Sequence, residues 1–153
     1  MRDALTGLLN TAAFRLLVEH ELVVARRYQR LDAFLVIDVE NLRAINAVFG
    51  FEGGNDTLRA VAKLLERTAR ESDIVGRIGD EEFAILALDC EDESLAKRIS
   101  TAVSRAVMQG PGTLRRPLAV RVRIGITEVH PGEEFDELMT RAGPSAFLRA
   151  RGR

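Results

Sequence analysis

The feature that most constrains this fold is the run AFLVI at residues 33–37, which Asp38 follows at once. A short, continuous apolar run that ends at a polar residue is typical of a strand that is buried on both faces. We therefore expect a buried strand that ends at Asp38. The run is far too short to span a bilayer, which takes about 20 apolar residues in a helix, so no membrane contact by this segment is expected.

Helical and strand-like patterns alternate along the rest of the chain. The predicted helices lie over 11–30, 42–49, 55–65, 95–107 and from 133 onward, and the predicted strands lie over 33–38, 74–78, 83–88 and 120–126. The second and third strands flank a Gly-Asp dipeptide and are expected to form a hairpin. This order predicts an α/β fold with a mixed central sheet.

Glycine and proline mark the expected breaks. Gly50, Gly53 and Gly54 predict a turn between two helices, with residue 55 or 56 as the cap of the second one. A loop is predicted over 111–117, and Gly143-Pro144 should interrupt the last helix.

Length and composition are those of an ordinary globular domain. The 153 residues suffice for one domain with a buried core, and the net charge of −1 provides no basic field that would attract nucleic acid or a membrane surface. Cys90 is the only cysteine and cannot form an internal disulfide. A reducing, cytoplasmic location is therefore expected.

Three consecutive acids, Asp80, Glu81 and Glu82, stand at the tip of the predicted hairpin. If the hairpin neighbours the strand that ends at Asp38, the carboxylates of Asp38 and Glu81 converge on one rim of the sheet. Carboxylates that lie close together repel unless a cation or a proton lies between them, and Mg²⁺ often takes one or two carboxylates together with phosphates. A Mg²⁺–nucleotide site is one interpretation, although spacing alone favours simply solvated acids.

Four segments carry a family resemblance by their order and separation. They are DALTGLLN at 3–10, DVENLRAINAVFGFEGGN at 38–55, RESDIVGRIGDEEFAIL at 70–86, and RIGI at 123–126, which matches a later S-I-G motif. Together they resemble the GGDEF domain, the catalytic unit of bacterial diguanylate cyclases. The resemblance implies a mostly antiparallel central sheet flanked by helices, similar to the palm of polymerases and nucleotide cyclases. We expect residues 1–153 to be one such domain within a longer multidomain protein.

The chemistry of the family joins two GTP molecules into cyclic di-GMP, with metal ions that stabilise the developing charge. Matched by motif position, the resemblance implies a Mg²⁺ site that is used with a nucleotide. The implied roles are metal ligation by Asp38, Glu81 and the carbonyl of Val39, a further acid at Glu82, guanine contacts at Asn46 and Asn55, and phosphate contact at Arg43.

Several positions depart from the family pattern. Asp80 replaces the second glycine of the signature, where a side chain takes up space and adds negative charge beside a triphosphate. Asn55 replaces a guanine-reading aspartate, although an amide has one acceptor and two donors. Phe51 replaces a histidine, and Ala150 replaces a phosphate-binding lysine. Asp80 alone could be a tolerated residue of a tight hairpin, but the departures together predict that the acids at 81 and 82 are catalytically vestigial.

The segment RESD at 70–73 matches the R-x-x-D motif that forms a product-binding inhibitory site in many members of the family. The resemblance implies that Arg70 and Asp73 bind cyclic di-GMP, with Arg98 or Arg105 contributing from the following helix. Arginine can fork onto guanine or phosphate. The alternative is a local ion pair between residues three apart, which contributes about 0.3–0.5 kcal/mol.

These observations predict a catalytically inactive GGDEF domain that senses cyclic di-GMP and signals to an attached sensory or output domain. A ligand-linked dimer is one assembly that this role allows. One alternative is a diguanylate cyclase of low activity or altered base choice, which Asn55 keeps open. Another is a GTP-binding domain that regulates an attached phosphodiesterase. A nucleic-acid partner is not expected, because the charge balance is even.

Overall fold

The computed structural model describes residues 1–109, 112–115 and 119–143. The elements are α1 (Thr11–Tyr28), β1 (Ala33–Val39), α2 (Leu42–Thr68), β2 (Ile74–Arg77), β3 (Glu82–Ala87), α3 (Ser94–Gln109), α4 (Gly112–Arg115), β4 (Val122–Glu128) and α5 (Phe135–Ala142). Of these helices, none combines the length and the apolar character that crossing a membrane requires.

The four strands form one sheet in the order β2-β3-β1-β4, with antiparallel pairing throughout. An isolated parallel bridge joins Leu9 to Gly76. All seven residues of β1 are buried, as the apolar run predicts for a central strand. The expected α/β fold with a mostly antiparallel sheet is confirmed.

Two apolar clusters cover the two faces of the sheet. Successive side chains of a strand point to opposite faces, and β1 divides its residues accordingly. Leu35 and Ile37 pack with residues of α2 and α3, whereas Phe34 and Val36 pack with residues of α1 and α5. On the second face, the rings of Phe14, Phe34 and Phe135 meet at centroid distances of 6.0 to 6.3 Å. One layer of helices covers each face of the sheet, and the ends of β1 lie at its uncovered edges.

The expected break between two helices is confirmed at Gly50, but it is confined to that residue, and residues 51–54 are helical. Only Gly50 leaves helical geometry, with φ 75° and ψ 177°, and this residue kinks the helix. Gly53 and Gly54 are helical and allow close packing: a Cβ at Gly53 would lie 2.3 Å from the Cβ of Phe49. Residue 55 therefore lies inside a helix and is not its cap.

The other differences lie at element ends. The predicted loop at 111–117 contains the short helix α4. The last helix begins after Glu134, which caps it, and it ends at Gly143, which agrees with the expected interruption. Pro144 and Ala150 lie outside the described residues.

Candidate functional site

The end of β1 and the β2–β3 hairpin meet at one rim of the sheet, named here the acidic rim (Asp38, Glu81, Glu82 and Arg123). Asp38 lies opposite Glu82 on β3 and opposite Arg123 on β4. The backbone N–H of Val39 donates to the carbonyl of Glu81 at 2.9 Å. Strand pairing therefore brings together the acids at 38, 81 and 82.

The hairpin tip is held in shape by Arg77. Its Nε donates to the carbonyl of Gly79 at 3.2 Å, and its Nη2 donates to the carbonyl of Asp80 at 2.8 Å. Its Nη1 reaches both carboxylate oxygens of Asp3 at 3.2 Å, which ties the N-terminal segment to the hairpin. Asp80 is exposed and is not among the described residues with positive φ, so its backbone does not require glycine. Any effect of Asp80 must therefore come from its side chain.

Asp38 is neutralised from within the sheet. Its side chain is only 9% exposed, and its Oδ2 accepts a hydrogen bond from Nη2 of Arg123. Such charge-assisted bonds are the strong ones among hydrogen bonds in proteins. The buried acid of the rim thus has a permanent positive partner.

The pKa of Glu82 depends on its burial and on the other charges of the rim. Burial raises the pKa of Glu82 above its ordinary value, and the carboxylates of Asp38 and Glu81 raise it further, while Arg123 acts in the opposite direction. Glu81 itself is exposed. The rim therefore combines one neutralised acid, one half-buried acid and one solvated acid.

The residues of the rim do not fit a divalent metal as they stand. The metal position that the resemblance implies would use the carboxylate of Asp38, whose Oδ2 already accepts a hydrogen bond from Arg123. Within the part of the chain that the structure describes, no group of three His, Cys, Asp or Glu side chains is placed to hold a metal ion.

The residues matched to nucleotide contacts lie on α2. Arg43 is exposed in its first turn, Asn46 follows one turn later, and Asn55 is half-buried beyond the kink. The Oδ1 atom of Asn46 is buried and has no hydrogen-bond partner among the described residues. It lies where a Cβ on Gly54 would stand, at 1.7 Å, so a larger residue at Gly54 would displace the amide.

A second candidate site lies where α2 ends, named here the Arg70 turn (residues 70–73). The carboxylate of Asp73 is fully buried and accepts from the backbone N–H of Arg70 at 2.8 Å and of Leu88 at 3.1 Å. The guanidinium of Arg70 lies 3.7 Å from that carboxylate, donates to the carbonyl of Leu88, and leaves the side chain 47% exposed. Asp73 thus shapes the turn, and Arg70 faces solvent.

A cationic groove with a volume of about 1160 Å³ runs between α2 and α3 beside this turn. Arg98 borders it, and its Nη1 donates to the carbonyl of Thr68 at 3.4 Å, two residues before Arg70. Asp56 lines the groove as well and is paired with Arg59 at 2.9 Å. The basic residues that line the groove are Arg59, Lys63, Arg67, Lys97, Arg98 and Arg105.

Comparison with known proteins agrees with this geometry. Residues 1–149 match the family described as "Diguanylate cyclase, GGDEF domain". The chain belongs to the GGDEF-domain family. Diguanylate cyclase DgcM of Escherichia coli (strain K12) is 35% identical over 157 residues, which cover 97% of this chain and 35% of DgcM. The chain thus spans about a third of the length of DgcM and of the probable diguanylate cyclase DgcC of the same organism, which it also matches.

Solved GGDEF structures share the fold. The GGDEF domain of DgcB from Caulobacter crescentus, crystallised in complex with c-di-GMP, superposes with a TM-score of 0.86 at 25% identity, covering 99% of this chain and 90% of that one. Diguanylate cyclase SiaD of Pseudomonas aeruginosa, in complex with its activator SiaC, gives 0.85 at 27% identity, covering 99% and 58%.

Two features of this GGDEF domain are not evident from sequence reasoning. Arg123 looks like one more polar residue of an alternating strand, and only its departure from the S-I-G motif could have drawn attention to it. Arg77 precedes the signature and holds the hairpin tip. By contrast, the motif resemblance brings Asp38 and Glu81 to one rim, and strand pairing does so in the structure.

Proposed function

We propose that this GGDEF domain is a non-catalytic, cytoplasmic module that binds cyclic di-GMP at the Arg70 turn and passes that binding on to an attached sensory or output domain. The observation that carries the proposal is the exposed guanidinium of Arg70 beside the cationic groove that Arg98 borders. The GGDEF domain of DgcB, which was crystallised with c-di-GMP, supports this choice of ligand.

Arg70 supplies the recognition chemistry. A planar guanidinium can donate in parallel to O6 and N7 of guanine or to two phosphate oxygens. In the proposed role, Asp73 positions the turn and is not the group that reads the guanine edge, because two backbone N–H groups already occupy its buried oxygens. This division of labour gives the two residues of the motif different expected phenotypes.

The cationic groove suits the rest of the ligand. Its volume exceeds the 300–1,000 Å³ or so of ordinary ligand pockets, and Arg98 and Arg105 carry charge opposite to that of phosphates. The partly exposed side chains of Ala60, Ala102 and Ala106 also line it, which adds apolar surface beside the charges. A groove of this size is compatible with a pair of cyclic dinucleotides and with a ligand-linked dimer.

The non-catalytic part of the proposal depends on the acidic rim and on α2. Exposed Asp80 adds a charge next to Glu81 and Glu82, which repels a triphosphate. Asn55 removes a carboxylate from the position matched to guanine reading. Catalysis by two domains requires several such groups in place at once, so their combined loss is expected to abolish turnover.

A second candidate function is GTP binding without turnover, as the regulatory part of a protein with an attached phosphodiesterase. The unpartnered Oδ1 of Asn46 favours it, because a base amino group could satisfy that atom after a small rotation of the amide.

One assay tests the catalytic half, and one tests the sensing half. After a long incubation of concentrated protein with GTP and Mg²⁺, chromatography is expected to show no cyclic di-GMP, and clear accumulation would contradict the proposal. Equilibrium dialysis with labelled cyclic di-GMP is expected to show retention by the protein. Equal ligand on both sides of the membrane would refute sensing.

A further inference from the structure

The strand position opposite the buried acid of the rim is occupied by a permanent cation. Asp38 on β1 pairs in register with Arg123 on β4, and the guanidinium donates to the carboxylate. Their side chains are 9% and 29% exposed, so water screens this pair less than an ordinary surface pair. We propose that Arg123 is a built-in counter-ion that takes the place of a divalent metal at Asp38.

The argument begins with the cost of burying a charge. An ionised carboxylate away from water must be paired, and at the acidic rim the partner comes from the neighbouring strand. A divalent ion at the same carboxylate would lie within a few ångströms of the guanidinium, and like charges at that distance repel strongly where water is partly excluded. The ion must therefore compete with Arg123 for the carboxylate of Asp38.

Among the basic side chains, arginine loses its charge least readily. Its guanidinium stays protonated in proteins, so the charge remains at every pH at which the protein is folded. A histidine, by contrast, could open the site by losing a proton near neutral pH. The position corresponds to serine in the S-I-G motif that residues 123–126 resemble, and a small neutral side chain there would leave Asp38 available to a metal.

The remaining acids do not replace Asp38. Glu81 is exposed at the tip, and the raised pKa of Glu82 reflects burial first and neighbouring negative charge second. These two acids can attract a cation only loosely while the buried ligand is paired. This inference extends the non-catalytic part of the proposed function. Its test does not depend on whether cyclic di-GMP binds at Arg70.

Manganese binding to the nucleotide-free protein tests the proposal, with the free ion counted by electron paramagnetic resonance at neutral pH. Arg123→Ser is expected to bind Mn²⁺ at least tenfold more tightly than the wild type. Arg121→Ser is the matched control, because it removes the same charge from an exposed position two residues away. Adding Asp38→Asn to Arg123→Ser should abolish the gain, and Arg123→Lys, which keeps a cation, should not produce it.

Circular dichroism and thermal unfolding establish that each variant is folded. If Arg123→Ser does not fold, Arg123→Gln keeps most of the side chain without its charge, and the same gain is expected. A folded, uncharged variant with wild-type Mn²⁺ affinity would overturn the proposal. So would wild-type protein that already binds Mn²⁺ tightly through Asp38.

Discussion

Both candidate sites of this GGDEF domain are built on an arginine and a buried aspartate, yet they differ in what satisfies the aspartate and in how far the arginine is exposed. At the acidic rim, Asp38 has a close guanidinium partner, and Arg123 is 29% exposed. At the Arg70 turn, backbone amides satisfy Asp73, and the arginine is 47% exposed with its Nε 3.7 Å from the carboxylate.

The difference teaches that the partner of the carboxylate decides whether the arginine remains available. Where backbone N–H groups satisfy the aspartate, the guanidinium can turn outward to a ligand. Where the aspartate lacks them, the guanidinium must neutralise it, and both groups are withdrawn from chemistry. The comparison predicts that, in the same domain, the arginine of the Arg70 turn is available to a ligand and the arginine and aspartate of the acidic rim are not.

The largest expected effect is on cyclic di-GMP binding. Arg70→Ala should weaken it roughly tenfold or more, because one bidentate guanine contact is worth about 1–3 kcal/mol. Fluorescence titration measures this affinity. Glu81→Ala, in the acidic rim, and Arg121→Ala, two residues from Arg123, should leave the affinity for cyclic di-GMP nearly unchanged. If Glu81→Ala is the damaging change, the roles of the two regions are reversed.

Asp73→Ala sharpens the division of labour within the turn. Two backbone N–H groups would lose their acceptor, so the free energy of unfolding should fall by about 1–3 kcal/mol. Urea denaturation measures this loss, and exposed Glu71→Ala in the same turn provides the control. An unchanged stability with lost ligand affinity would instead make Asp73 a direct ligand contact.

The sequence predicts the strands and most helices because their signals are local. The apolar run before Asp38, the period of α1 and the Gly-Asp hairpin each lie within a few residues. Gly53 and Gly54 mislead because their role is set by Phe49 and Asn46 packing against them inside one kinked helix. Glycine in a sequence does not distinguish a turn from a close contact.

The site is predicted less completely because strand register is not local. Asp38 and Arg123 are 85 positions apart, and only the β1–β4 pairing sets them opposite each other. The burial of Asp73 likewise depends on Leu88 from the following strand region. The R-x-x-D spacing draws attention to residues 70 and 73, and the fold gives their side chains unequal exposure.

A smaller effect should separate Glu82 from the neutralised Asp38. A raised carboxyl pKa means that the folded protein binds the proton more tightly than the unfolded chain does. Ionised Glu82 therefore lowers stability at neutral pH, and this penalty disappears as the pH falls through the folded pKa toward the unfolded one. Glu82→Gln should raise the free energy of unfolding at pH 7 by a few tenths of a kcal/mol, because the site is partly exposed, and the melting temperature should rise slightly.

The gain from Glu82→Gln should vanish when melting is repeated below about pH 4, where the carboxyl is protonated in both states. A gain that persists at low pH would mean that packing, and not charge, distinguishes the two side chains.

The smallest expected effect is on repair of the signature. Asp80→Gly alone should leave cyclic di-GMP synthesis undetectable by chromatography, because Arg123 still holds Asp38 and Asn55 still lacks a carboxylate. Robust turnover from this single change would show that the acidic rim is closed by Asp80 only. The same assay on Asp80→Gly combined with Arg123→Ser separates the two contributions.

Calorimetry of one wild-type preparation with two ligands tests the contrast between the sites most directly. Cyclic di-GMP and GTP with Mg²⁺ are titrated in turn under the same buffer and salt. The account predicts saturable binding of cyclic di-GMP and no saturable heat with GTP and Mg²⁺. Saturable binding of GTP that requires Mg²⁺, together with no binding of cyclic di-GMP, would contradict it.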